Sequence, residues 1–138
     1  MTIKFLLDTN IISQPVKKMP SKKVLKKLED HSSAISISAI TWHELCYGVS
    51  RLEDSKRKTV LEKYVELLHK TIPILPYEDK AASWHGSQRA QLESEGNPQP
   101  FADGQIAAIA NSNNLILVTD NIKDFKKYTD LSITNWMS

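Results

Sequence analysis

A short apolar run that ends in an acid is the feature that most constrains the fold of this chain. Residues 3–10 read IKFLLDTN, so a predicted strand at Ile3–Leu7 is followed at once by Asp8 and then by Thr9 and Asn10. Buried parallel strands are nearly continuous apolar runs, and open α/β proteins place their functional groups at the carboxyl ends of such strands. The stretch therefore predicts a parallel sheet that presents Asp8 at its carboxyl edge.

Strands and helices alternate along the rest of the sequence. Further short strands are predicted at Ala34–Ser38, Ile72–Leu75, Leu115–Thr119 and Leu131–Ile133, and segments with helical periodicity separate them. Alternation of this kind predicts an α/β fold whose parallel sheet is covered by helices on both faces. At 138 residues the chain is expected to form a single domain, residues 1–138.

Cysteine content and hydropathy exclude several classes of protein. The one cysteine, Cys46, cannot form an intramolecular disulfide and fits a reducing compartment. No apolar run approaches the ~20 residues that a membrane span needs, and the N-terminus does not have the pattern of a signal peptide. We therefore expect a cytoplasmic protein without a membrane partner. The net charge of +2 does not by itself require a nucleic-acid partner.

Four acids lie at comparable places in this pattern. Asp8 follows the first strand, Glu44 falls in the predicted first turn of the helix after the second, Asp103 begins a helix, and Asp120 follows the strand LILVT. Hard divalent cations such as Mg²⁺ or Mn²⁺ prefer carboxylate oxygens and keep waters that a phosphate can replace. We therefore interpret these acids as catalytic candidates, with Asp8, Glu44 and Asp103 as ligands of one or two ions that activate a water against a phosphodiester.

Each acid also has a purely structural interpretation. Asp8 can cap the turn that follows it, and Glu44 can complete a capping box with Thr41 as the N-cap residue. Asp103 can be an ordinary acid of a first helical turn, and Asp120 can form a turn. The metal-site interpretation depends on all four acids falling at strand or helix ends that lie on one kind of edge of the sheet.

Four stretches together resemble the PIN-domain ribonuclease family, and more closely the VapC-type toxins of bacterial toxin–antitoxin pairs. They read FLLDTNIIS, SISAITWHELCYG, PFADGQIAAIANSNNLILVTDNIKDF and LSITNWMS, and they span nearly the whole chain. The resemblance implies a PIN-like α/β/α sandwich around a central, mainly parallel sheet. It also implies Mg²⁺- or Mn²⁺-dependent endonucleolytic cleavage of RNA, by a type II toxin that cuts tRNA or another structured RNA. A cognate VapB-like antitoxin would block the acidic pocket, and we expect a homodimer.

The resemblance carries over to individual positions. Asp8, Glu44 and Asp103 match the family's acids, whereas the place of its fourth acid or Asn is taken by Asn121, and Asp120 stands one residue earlier. Whether Asp120 binds the metal, Asn121 contributes through its amide, or neither residue takes part is therefore open. Three further polar residues match positions that line or brace such pockets, and Asn10 is suited to orient Asp8 or a water on the ion: Thr9, Asn10 and Thr119.

Two surfaces are candidates for binding macromolecules. Lysines cluster near the first acid and after the fourth, and they either hold an RNA backbone or form a solvated face: Lys17, Lys18, Lys22, Lys23, Lys26, Lys27, Lys123, Lys126 and Lys127. Apolar stripes on the predicted helices Lys22–Asp30 and Lys56–His69 favour a groove for an amphipathic antitoxin segment. The first stripe comprises Val24, Leu25 and Leu28, and the second comprises Val60, Leu61, Tyr64, Val65 and Leu68.

Two other functions compete with a nuclease. A phosphatase with Asp8 as nucleophile would need a second Asp two residues on, where Asn10 stands instead. A catalytically weakened PIN-like module that only binds RNA or a protein partner is favoured by the displaced position of Asp120.

Overall fold

Five parallel strands form the centre of the molecule, and the computed structural model describes residues 2–138. The strands are β1 (Phe5–Leu7), β2 (Ile35–Ser38), β3 (Ile74–Leu75), β4 (Ile116–Val118) and β5 (Ile133–Thr134). Their order across the sheet is β3-β2-β1-β4-β5, and every neighbouring pair is parallel. The predicted parallel sheet is therefore confirmed, with β1 as its middle strand.

Seven helices and one 3₁₀ turn connect the strands. They are α1 (Thr9–Ile12), the 3₁₀ turn Gln14–Val16, α2 (Lys22–Asp30), α3 (Ala39–Ser50), α4 (Lys56–Thr71), α5 (Asp79–Ser94), α6 (Phe101–Ser112) and α7 (Ile122–Phe125). Parallel neighbours need crossover connections, and these place helices on the two faces of the sheet. The architecture is the α/β/α sandwich that was expected.

Strand β1 joins the two halves of the core. Side chains on a strand alternate between the faces, so Leu6 points to one side while Phe5 and Leu7 point to the other. Leu6 belongs to a buried cluster with Leu117 and the small residues of α6. Phe5 and Leu7 belong to a second cluster with Val24 of α2. All three residues of β1 are buried, which explains the continuous apolar run in the sequence.

The start of α2 agrees with the sequence prediction, whereas the start of α3 does not. Ser21 caps α2 and accepts from the Val24 N–H at 3.3 Å. The predicted capping box of Thr41 and Glu44 is wrong, because Ser38 caps α3 and accepts from the Thr41 N–H at 3.0 Å. Ser38 ends β2 with extended backbone angles and carries a suitable hydroxyl, so the helix begins immediately after the strand. Glu44 consequently lies in the second turn of α3, not the first.

The apolar stripe of α4 is narrower than predicted. Leu68 is buried, and Leu61, Tyr64 and Val65 are half-buried. Val60 is 52% exposed, so its inward placement was wrong. These four inward residues follow the i, i+3, i+4, i+7 spacing from Leu61, and Val60 lies on the rim of that stripe.

No helix within residues 2–138 combines the length and the apolarity that crossing a membrane requires.

Candidate functional site: an acidic pocket at the carboxyl edge of the sheet

A pocket of about 410 Å³ lies at the carboxyl edge of the sheet and contains all four candidate acids. It is lined by Asp8, Thr9, Asn10, Glu44, Asp103, Ile106, Asp120 and Asn121. These residues come from β1–α1, α3, α6 and the turn after β4, so the fold brings together segments that are far apart in the sequence. None of the eight lining residues is a Lys or Arg, and the wall of the pocket is therefore strongly anionic.

Asp8 is fixed in place through both of its carboxylate oxygens. Oδ1 accepts from the Thr9 N–H at 2.9 Å, and Oδ2 accepts from the Thr119 hydroxyl at 2.8 Å. The Thr119 hydroxyl in turn accepts from the Asn121 N–H at 3.0 Å. Burial outweighs these hydrogen bonds and raises the pKa of Asp8 above its usual value, and the charge of Asp120 adds to the rise. Asp8 is thus both the N-cap of α1 and a wall of the pocket.

Glu44 lines the pocket and is hydrogen-bonded to Thr9. The Thr9 hydroxyl donates to Glu44 Oε1 at 3.1 Å and lies 3.3 Å from the hydroxyl of Thr41, a fully buried residue of α3. Burial raises the pKa of Glu44, the Thr9 hydrogen bond opposes the rise, and the charge of Asp8 adds to it. Thr9 therefore connects the first and second acids.

Asp103 lies in the first turn of α6. Burial, followed by the negative charges of Asp8, Asp124 and Glu44, raises the pKa of Asp103 to about 6. These carboxylates repel one another, and no Lys or Arg in the lining of the pocket offsets that repulsion.

Close packing of α6 on α5 sets the position of Asp103. A Cβ on the next residue, Gly104, would lie 2.2 Å from Nε2 of His85 in α5. His85 is 3% exposed, and its Nδ1 lies 2.8 Å from the Tyr77 hydroxyl in a hydrogen bond. The absence of a side chain at position 104 therefore allows α6 to approach α5 this closely.

The fourth acidic position is occupied by two residues that each have a local partner. Asp120 accepts from the side-chain amide of Asn10, and the carbonyl oxygen of that amide accepts from Lys17 Nζ at 2.6 Å. The Asn121 amide donates to Asp124 Oδ2 at 2.6 Å. Asn10 thus holds Asp120 and Lys17, and Asp8 is oriented by Thr9 and Thr119 instead.

The acids surround a common cavity without closing around one point. Within residues 2–138, no group of three His, Cys, Asp or Glu side chains is arranged as a ready-made metal cluster. The donor set nevertheless fits a hard cation, since it consists of carboxylates and amide oxygens and lacks a neutralising Lys or Arg. Burial is the largest cause of the raised pKa values of Asp8, Glu44 and Asp103, and the charges of neighbouring carboxylates add to it.

Two residues of the site were not identified from the sequence. The charge of Asp124 raises the pKa of Asp103, and Gln14 is 3% exposed and donates to the Asn10 carbonyl at 3.0 Å. Lys17, one of the lysines predicted to hold RNA or form a solvated face, donates to the side chain of Asn10. For Asp124 a usable signal was its position only four residues after Asp120. A buried Gln has no sequence signature, because its burial depends on tertiary packing.

The raised pKa of Asp103 predicts a pH-dependent stability for the chain without bound cations. The folded-state pKa of about 6 exceeds the ordinary Asp value of 3.8, so the contribution of Asp103 to stability is complete below pH 3.8 and is lost as the pH rises through about 6. Asp103→Asn should therefore raise the Tm by a few degrees at pH 7.5 and change it little at pH 4. Thermal unfolding in chelator at both pH values measures this, and an equal shift at the two would contradict it.

An apolar groove of about 320 Å³ adjoins the pocket. It runs between α4 and α3, reaches the 3₁₀ turn, and includes Val16, Leu45, Leu61, Tyr64 and Glu44 in its wall. The groove predicted along α4 is therefore formed with α3. The corresponding groove at α2 is lined by lysines.

The fold and the acidic pocket define the class of this protein. The family model of the PIN domain matches residues 5–131, and the chain belongs to this family. The resemblance seen in the sequence is thereby confirmed.

Relatives at nearly full length carry VapC names. The chain is 33% identical to Ribonuclease VapC2 of Haemophilus influenzae over 98% of this chain and 99% of the relative. It is 32% identical to the tRNA(fMet)-specific endonuclease VapC of Salmonella typhimurium, over 97% and 98%. The chain is also similar to a chain in the solved structure of VapBC2 from Rickettsia felis bound to a promoter DNA fragment. The TM-score is 0.83 and the sequence identity is 33%, and the match covers 99% of each chain.

Proposed function

We propose that this chain is a divalent-metal-dependent endoribonuclease and the toxin of a type II toxin–antitoxin pair, with tRNA or another structured RNA as substrate. The observation that carries the proposal is the pocket in which Asp8, Glu44, Asp103 and Asp120 share one wall. The names of the relatives, which include a tRNA(fMet)-specific endonuclease, support the ribonuclease class and the choice of substrate.

Asp8, Glu44 and Asp103 are the residues that would hold the metal, Mg²⁺ or Mn²⁺. When bound, such an ion supplies a Lewis acid that offsets the phosphodiester charge and lowers the pKa of an attacking water. The chain's own contribution is orientation, because Thr119 and Thr9 fix the carboxylates of Asp8 and Glu44.

A carboxylate of the pocket also takes part in proton transfer. Asp8, Glu44, Asp103 and Asp120 line the pocket, and in this mechanism one of these carboxylates accepts the proton of the attacking water as a general base. No covalent bond forms between the chain and the RNA.

A catalytically weakened module that binds RNA or a protein remains the second candidate. One observation favours it: at the fourth acidic position Asp120 accepts from Asn10 and the Asn121 amide donates to Asp124, so both side chains already have partners in the wall of the pocket. Metal-dependent cleavage by the purified chain distinguishes the two functions.

The protein partner in this proposal is a VapB-like antitoxin. The solved VapBC2 structure contains a toxin–antitoxin pair, and the apolar groove between α3 and α4 offers a place for an antitoxin segment in this chain. Because Glu44 belongs to both the groove and the acidic pocket, a segment bound in the groove would end at the acids.

Removal of divalent ions provides the direct test. We expect EDTA to lower the rate of cleavage of an initiator-tRNA transcript by at least about 100-fold. Without the ion, the repulsion between the carboxylates is not offset and the pKa of the attacking water is not lowered. Adding Mg²⁺ or Mn²⁺ in excess of the chelator should restore the activity. The measurement is the initial rate of appearance of labelled fragments on a denaturing gel. Undiminished cleavage in chelator would rule out metal dependence.

A further inference from the structure

A second groove lies between the lysines of α2 and residues 134–138. It has a volume of about 510 Å³ and is lined by Lys22, Lys23, Lys26 and Lys27 of α2, by Thr134 of β5, and by Asn135, Trp136 and Ser138 after that strand. We infer that this lysine groove binds the RNA backbone and holds the substrate while another part of it enters the acidic pocket. The inference rests on the proposed ribonuclease function and adds a binding site to it.

The charge of the groove favours a polyanion. All four lysines are exposed, and Lys26 forms a salt bridge with Asp30 at 2.8 Å. Within residues 2–138, Lys22, Lys23 and Lys27 have no carboxylate within salt-bridge distance. Four cations on one and a half helical turns face the hydroxyls and amide of the opposite wall, a combination suited to phosphate and ribose groups.

The lysine side of the groove is tied to the acidic pocket through Gln14. The buried Gln14 side chain donates to the carbonyl of Asn10, a pocket residue, and accepts from the N–H of Ser21, the N-cap of α2, at 2.9 Å. Since Ser21 immediately precedes Lys22, the start of the lysine face has a fixed position relative to the acids.

The opposite wall has an equally short connection to the pocket. The carbonyl of Thr134 accepts from the Thr119 N–H at 3.0 Å, and the Thr119 hydroxyl donates to Asp8. Trp136 is 5% exposed and packs against Phe5 and His31, which anchors the chain end that forms this wall. Each wall of the groove is therefore connected at one end to the pocket, through Gln14 on the lysine side and through Thr119 on the other. This arrangement suits an extended substrate that reaches from the groove into the pocket.

The test compares two double variants that remove equal charge. Lys23→Gln/Lys27→Gln removes two groove lysines, and Lys63→Gln/Lys70→Gln removes two exposed lysines of α4. Using an initiator-tRNA transcript, we expect the groove variant to raise KM about tenfold at 50 mM salt and to reduce the slope of log KM against log salt by roughly two, one for each lost phosphate contact. The effect should fall on KM rather than on kcat, and the α4 variant should match the unmodified chain.

Direct binding separates this inference from the proposed function. Fluorescence anisotropy of the labelled transcript is measured with each variant in EDTA, where no cleavage is needed. Weaker binding by the groove variant alone supports the groove even if no preparation cuts RNA. Equal affinity and equal salt slopes in both variants would overturn the inference. Binding of labelled polyglutamate is measured in the same way. If the groove variant loses polyglutamate binding but keeps RNA binding, the inference is overturned, because the groove would then bind an acidic protein.

Discussion

Asp8→Asn and Asp103→Asn are each expected to abolish RNA cleavage while the protein remains folded. The loss should be at least about 100-fold, more than the roughly 10–100-fold that removal of a group orienting a metal ligand costs. Asn is as good an N-cap as Asp, so Asp8→Asn keeps the hydrogen bond from the Thr9 N–H and the start of α1. The substitution therefore separates the capping role of Asp8 from its role in the pocket.

Three further variants make this test specific. Asp54→Asn changes a fully exposed carboxylate outside the pocket and should leave cleavage unchanged. Thr119→Val removes the hydroxyl that orients Asp8 and should reduce the rate less than Asp8→Asn does. The double variant Asp8→Asn/Asp103→Asn should be little worse than either single variant, because groups that act as a unit are not additive. Full activity of Asp8→Asn with normal circular dichroism would refute the assignment of the pocket.

Gly104→Ala should destabilise the chain by about 1–3 kcal/mol, the usual cost of adding a methyl group to a filled core. The added Cβ would meet His85 Nε2 at 2.2 Å and Cδ2 at 2.7 Å. The ring of His85 cannot move aside freely, since it is buried and hydrogen-bonded to Tyr77. Denaturant unfolding monitored by circular dichroism measures the change in midpoint.

Gly86→Ala is the matched control for this prediction. Gly86 also lies in a helix, α5, but a Cβ there would meet no atom within 4 Å. The same chemical change should therefore stabilise the chain by about 0.5–1 kcal/mol, the helix preference of Ala over Gly. The two substitutions are expected to have opposite signs, and equal stability of the two variants would contradict the packing described for α5 and α6. Because Gly104 follows Asp103, its substitution should also lower the cleavage rate.

The parts of the structure that were predicted from the sequence are those with a local signal. The apolar run before Asp8 predicted a buried parallel strand, and the apolar stripe of residues 22–30 predicted α2. The start of α3 was missed because Ser38 serves both as the last residue of β2 and as the cap of the helix. Ser38 and Thr41 are both suitable N-cap residues and lie three positions apart. Because β2 ends at Ser38, the helix begins directly after it and Ser38 is the cap.

The parts of the site that could not be predicted depend on contacts between distant residues. Asn10 and Asp120 are bonded although 110 residues separate them, and nothing local to either residue specifies the pair. The close approach of Gly104 to His85 likewise appears only when α5 and α6 are packed. The four acids were selected from their places at the ends of predicted strands and helices, and the family resemblance supported three of them. The partners that hold them could be seen only in the fold.

The sheet order has a consequence for the time at which the pocket forms during synthesis. Middle strand β1 pairs with β4, and Asp8 takes its hydrogen bond from Thr119, which is made 111 residues later. A nascent chain that ends before residue 100 has Asp8 and Glu44 but neither Asp103 nor Asp120. Whatever chemistry the pocket performs therefore begins only after Asp120 has been synthesised, and products truncated before residue 100 lack half of its acids.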